Sequence, residues 1–119
     1  ENLIEINNPY EGELISVVAK KNWNIFDFDN QNQKYETYND VCSRAINTIY
    51  SIVRNTKSNN NIVITHGEII LCLRALALKK QLSLETRQEL QHDGFFPKTA
   101  SITTLYFNRD CKLLYSKFY

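Results

Sequence analysis

Methionine is missing from all 119 residues, and the chain opens on Glu1. Because translation starts with Met, the sequence is expected to continue upstream, by a few residues or by a real N-terminal portion. Glycine (3) and proline (2) are scarce and nowhere cluster into a linker that would mark a second domain. Charge of one sign is lacking too. Fourteen Lys and Arg against 13 Asp and Glu leave a net charge of +1, too weak a field to recruit nucleic acid or an acidic membrane surface. No apolar run approaches the roughly 20 residues that a membrane span needs, and the polar N-terminus is not a signal peptide. Three cysteines, Cys42, Cys72 and Cys111, are an odd and widely spaced set. They argue against a disulfide framework and for reduced core thiols in a cytoplasmic protein.

What is present is an ordinary globular composition, 43% hydrophobic and 23% charged, enough for one small domain or part of one. Asparagine collects around residues 22–32 and 59–61, as expected of solvated loops. Leu3 to Ile6 alternates like a strand end. Leu14, Val17 and Val18 are spaced as on a short helix. Residues 22–35 mix aromatics with amides and show no period, which is loop composition. Tyr38, Val41, Ala45, Ile49, Ile52 and Val53 then recur in steps of three and four, a single apolar stripe on a long helix. Thr37 and Asp40 are spaced as a capping box at its start.

Ile62-Val63-Ile64-Thr65 is a β-branched run that predicts a buried strand. His66-Gly67 breaks it, and residues 68–78 are apolar on nearly every face, predicting a largely buried helix. Ser83 suits the N-cap of a shorter helix over 84–90. Residues 92–98 form a loop carrying two aromatics expected to be exposed. Residues 101–107 and 112–119 are β-rich and joined by Asn108-Arg109-Asp110, a hairpin. The order of elements is α/β with a mixed sheet.

Chemistry points to Thr65-His66-Gly67-Glu68, where a strand hands over to a helix. Open α/β sheets bind ligands at the carboxyl ends of their strands. The helix N-terminus offers unpaired N–H groups and a positive dipole end to an anion such as phosphate. Gly67 allows close backbone approach, and an imidazole there can donate to a phosphoryl oxygen. A carboxylate at Glu68 would repel phosphate unless it points outward from the first helical turn. His92, the only other histidine, is expected on the surface.

Thr65-His66-Gly67 resembles the second-histidine motif of the histidine-phosphatase (phosphoglycerate-mutase-like) superfamily. Leu3-Ile4-Glu5-Ile6 followed by Tyr10-Glu11-Gly12 is similar to that family's "L-x-E-I … W-E-G" segment. Glu36 to Val41, with Arg44-Ala45, resembles its "G-E-S … D-V … R-A" helix opening. Ala100 to Thr103 resembles its closing "x-S-V-T" strand. The four segments stand in the family's order over essentially the whole chain.

The resemblance implies a partial phosphoglycerate-mutase-like α/β fold, residues 1–119 being a single incomplete domain with a mixed, mostly parallel sheet flanked by helices. It implies a phosphoric monoester hydrolase working through a phosphohistidine, without metal or other cofactor. The partner would be a small phosphorylated metabolite or a phosphoprotein, not nucleic acid or membrane. His66 would contact the transferred phosphoryl group, Glu5 would be the general acid, and Gly67 and Glu68 would contribute to substrate binding.

This chain also departs from the pattern. The family's Arg-His-Gly strand, which carries the nucleophilic histidine, occurs nowhere in it, so the chain corresponds to the C-terminal two-thirds of such a domain. The 119 residues alone are expected to be inactive. A catalytically inactive phosphatase-like binding module and a mutase-type phosphotransferase are the alternatives. Substrate choice is expected to come from residues 22–35 and 92–98, whose aromatics could line a pocket, with Lys98 within reach of an acidic group.

Overall fold

The computed structural model describes residues 2–26, 28 and 34–119. Its longest helix, α2 (Tyr38–Asn55), starts where the capping box was expected. Thr37 Oγ1 accepts from the Asp40 amide at 3.3 Å and the Asp40 carboxylate accepts from the Thr37 amide at 2.9 Å. These bonds satisfy two N–H groups that have no helical partner. The predicted stripe turns inward, burying Tyr38, Val41, Ala45 and Ile49.

Facing it is α3 (Gly67–Ala77), buried along most of its length from Glu68 to Ala75. Val41, Ala45 and Ile49 of α2 meet Ile69 and Leu73 of α3, joined by Ile6 from the N-terminal segment. Cys42 and Cys72 meet across the same helix pair beside Tyr38, both as free thiols. The hydrogen bond that the Cys72 thiol donates to Cys42, together with burial, pushes Cys72 up, so it stays protonated. Cys111 is free and half-buried.

The helix α4 (Leu84–His92) is capped by Ser83, whose hydroxyl accepts from the Thr86 amide. It closes over the far end of α3, where Leu90 packs on Leu71 and Ala75. The strands β1 (Thr103–Phe107) and β2 (Leu113–Phe118) pair antiparallel, with Thr103 opposite Phe118 and an irregularity beside Phe107. Arg74 of α3 fastens this hairpin. Its guanidinium donates to Thr103 Oγ1 at 2.9 Å and to the Phe95 carbonyl at 2.7 Å, and it stands over the Phe118 ring.

Three expectations are corrected. Residues 62–65 form no ladder with any described residue, and Ile62 and Ile64 are each 94% exposed. A strand needs a hydrogen-bonded neighbour as well as β-branched composition. The sheet expected to be mixed and mostly parallel is, among the described residues, a two-stranded antiparallel hairpin. Residues 3–6 are not a strand end either, although Ile6 is buried.

The short helix α1 (Ile15–Lys20) forms near the predicted place but buries none of its residues. Among the described residues the fold is thus a small mixed α/β arrangement of four helices and one hairpin. Among the described residues no helix is long and apolar enough to cross a membrane.

Candidate functional site

The peptide after Thr65 turns into α3 at His66, whose extended backbone makes it the N-cap. The His66 side chain makes no capping bond. The amides of the first helical turn therefore receive no cap from this side chain, and the imidazole is left to other partners. The His66 carbonyl already accepts from the Ile70 amide at 3.0 Å, which holds the residue at the mouth of the helix. About half of the His66 side chain is open to solvent.

Glu5 is brought to this mouth, its Oε2 standing 3.8 Å from His66 Nδ1. Sixty residues separate the two in sequence, and three interactions bring them together. Thr65 Oγ1 donates to the Leu3 carbonyl at 2.5 Å, stitching the N-terminal segment to the residue before His66. Ile6 anchors the same segment in the core. Arg44 of α2 completes the hold, with Nη1 donating to the carbonyls of Asn2 (2.9 Å) and Ile4 (3.0 Å) and Nη2 to that of Glu5 (3.4 Å). Glu5 Oε1 accepts from the Ile6 amide at 3.0 Å, which fixes its carboxylate and leaves Oε2 toward the histidine.

Arg44 is itself aimed by Glu36. Its Nε donates to Glu36 Oε1 at 2.5 Å and its Nη2 to Oε2 at 2.9 Å, while Glu36 Oε2 also accepts from the Asn7 amide at 3.0 Å. The Arg44 guanidinium holds the Glu36 carboxyl below the usual carboxylate range, against an opposing effect of burial. Nothing in the local sequence around Glu36 pointed to this role. The helix start is made by Thr37 and Asp40, and Glu36 is a buttress for the Glu5 segment.

Glu68 does not point outward. It is buried, and Arg87 of α4, only 1% exposed, donates to both of its oxygens from Nη2 (2.5 Å) and Nε (3.0 Å). A third bond, from Arg87 Nη1 to Gln91 Oε1 at 2.7 Å, completes the guanidinium. Burial pushes the Glu68 carboxyl up, with the Arg87 hydrogen bond pulling the other way. The helix geometry explains the correction. A first-turn residue on the face toward α4 is almost wholly withdrawn from water, at 5% exposure, so its charge is met by a buried cation.

Beside Glu5 opens a cavity of about 450 Å³, within the range of small-molecule sites. Its polar wall is Glu5, Asn8, Glu68, Arg87 and Gln91, and its apolar wall is Ile6, Val18, Trp23, Ile25 and Phe96. Trp23 and Phe96 come from the two loops expected to set substrate choice. Residues 27 and 29–33 of the first loop lie outside the described residues, and Lys98 is exposed and does not line the cavity. Phe96 covers Gly67 so closely that a Cβ there would lie 2.9 Å from its ring. A side chain at this position would displace the Phe96 ring. His92 is on the surface, as expected, beside Asp93 at 3.4 Å. No group of three metal-binding side chains exists among the described residues.

A family model described as histidine phosphatase superfamily (branch 1) matches residues 1–116. The chain belongs to the histidine phosphatase superfamily, and membership supports a phosphatase- or mutase-like function in general terms. No curated protein and no solved structure matches it.

Proposed function

We propose that the chain supplies the acid and second-histidine half of a phosphomonoesterase that works through a phosphohistidine. The observation that carries this reading is the 3.8 Å approach of Glu5 to His66 at the open N-terminus of α3. A phosphoryl group at that mouth would meet the amides of the first turn and the imidazole of His66. Glu5 stands beside it, able to give its proton to the ester oxygen as the P–O bond breaks. A nucleophilic histidine nitrogen forms the new P–N bond, and water then cleaves it.

The chain has two histidines, and His92 is remote in character, exposed at the end of α4. The nucleophile is therefore assigned to residues outside these 119, as is a strand pairing with residues 62–65 to build the parallel part of the sheet. The exposed Ile62 and Ile64 support that pairing, since an unpaired apolar edge invites a neighbour. In this reading residues 1–119 are an incomplete domain with no turnover of their own.

The test is turnover of phosphomonoesters by the full-length protein, with acid-labile phosphate trapped on histidine by rapid quench. His66→Ala is expected to lower kcat by about 10²–10³. Glu5→Gln is expected to slow esters of poor leaving groups more than those of good ones. Phosphate binding without turnover or a trapped intermediate would overturn the enzyme reading and leave a phosphate-binding module.

A further inference from the structure

We infer that the cavity beside Glu5 takes the leaving group, and that the substrate is the phosphate ester of an uncharged aryl alcohol. This rests on the phosphatase reading, because a general acid at Glu5 fixes the side on which the leaving group must lie. The ester oxygen faces the Glu5 carboxyl, and the carbon skeleton attached to it continues into the space that Glu5 borders. That space is the cavity, shared between Glu5 and the ring of Phe96 above Gly67.

Charge decides what can fill it. Arg87 is the cation in its wall, and its guanidinium is already spent on both oxygens of Glu68 and on Gln91. The other charged wall residues are the carboxylates Glu5 and Glu68. Arg87 neutralises Glu68, so a second phosphate or a carboxylate on the leaving group would meet the Glu5 carboxyl and no uncommitted cation among the lining residues, and would be desolvated without a partner. Phosphoglycerate-like substrates are disfavoured for that reason.

Shape and surface point to a ring. Five apolar side chains line one wall, two of them aromatic, which suits edge or face contacts with another ring. Trp23 is held there at a cost, since it and Asn22 occupy successive left-handed positions, with φ of 58° and 53°. For a bulky residue that conformation is strained and requires compensation from its surroundings. The turn that closes α1, in which the Trp23 amide donates to the Val18 carbonyl, sets this backbone and leaves the residue 45% exposed. A bound ring would cover the open part of the indole.

The experiment uses the full-length protein and phenol, which carries no phosphate and so reports on the cavity alone. The indole N–H resonance of Trp23, assigned by its loss in Trp23→Phe, should shift saturably as phenol is added. Phe96→Ala should weaken phenol about tenfold, and Phe96→Leu, which keeps the bulk, should weaken it less. In turnover, kcat/KM should favour phenyl phosphate over 3-phosphoglycerate, and Phe96→Ala should erode that preference. Adding N-acetyl-phosphotyrosine amide distinguishes a free aryl ester from a tyrosyl one, and preference for either over 3-phosphoglycerate supports the aryl class.

No saturable shift with phenol, or preference for 3-phosphoglycerate, overturns the inference even where His66-dependent turnover persists. Phenol binding that survives His66→Ala, in a protein that turns over no monoester, leaves the aryl site standing and removes the phosphatase reading.

Discussion

Arg44 and Arg87 each grip a glutamate with two nitrogens, yet they do opposite work. Arg44 sits at the partly exposed edge of α2 and uses the grip on Glu36 to free its remaining donors for three backbone carbonyls of the Glu5 segment. Arg87 is sealed under the first turn of α3 and gives all its named bonds to Glu68 and Gln91. One pair helps to position the Glu5 segment, beside the Thr65 bond and the buried Ile6. The other neutralises a charge that the fold has buried and leaves the cavity wall without a usable cation. Bidentate geometry is common to both, so it is burial and the remaining donors that decide whether such a pair serves placement or neutrality.

Breaking the buried pair should have the largest effect. Arg87→Met leaves Glu68 charged and unpartnered between α3 and α4, and is expected to cost about 3–5 kcal/mol. Urea unfolding of the variant measures it. Adding Glu68→Gln or Glu68→Leu should recover much of the loss, because an apolar or neutral pair of similar volume removes the desolvation penalty. If the double variant is as unstable as the single one, the ion pair has been misjudged and shape dominates.

This pair was also the least legible part of the sequence. A charged residue in the middle of a short polar helix such as Leu84–His92 is ordinarily solvated, and its partner lies 19 positions away. No local pattern announces such a contact. The capping box of Thr37 and Asp40 and the stripe from Tyr38 to Ile49 were legible because their physics is confined to a few consecutive turns. The hairpin and the buried α3 were legible for the same reason. Residues 62–65 show the limit from the other side. β-branched composition states a preference for extended backbone, but pairing depends on a neighbour that no window of sequence contains. Glu5 and His66 could be joined only through family resemblance, since the contacts that align them span 39 to 62 residues.

Loosening the exposed clamp should have a smaller effect on stability and a distinctive one on function. Arg44→Gln removes two charge-assisted bonds to Glu36 and the carbonyl contacts, worth about 1.5–3 kcal/mol in all for a partly solvated site. In the full-length protein it should lower kcat through displacement of Glu5, with KM for the ester little changed. Arg44→Lys should rescue poorly, because an ammonium cannot serve the carboxylate and three carbonyls in one plane. Equal losses in kcat and in folded fraction would reduce Arg44 to a structural residue.

The finest contrast lies in pH. The folded-state carboxyl of Glu36 is lowered by Arg44, so the unfolded chain holds more protons there and stability rises with pH through that interval. Its contribution is complete above the unfolded value of about 4.3 and is lost as pH falls through the folded value. Glu68 runs the other way. Burial raises its folded-state value, so the folded chain holds more protons, and its proton-linked contribution is complete below the unfolded value and lost as pH rises through the folded one. Urea midpoints measured from acid to neutral pH should therefore show a flatter acid limb in Glu36→Gln than in the parent. Glu68→Gln should instead lose a decline on the neutral side. Slopes are the quantities to compare, because both substitutions also shift the intercept by breaking hydrogen bonds. A neutral-side slope in Glu68→Gln equal to that of the parent would mean that burial of Glu68 is fully offset by Arg87.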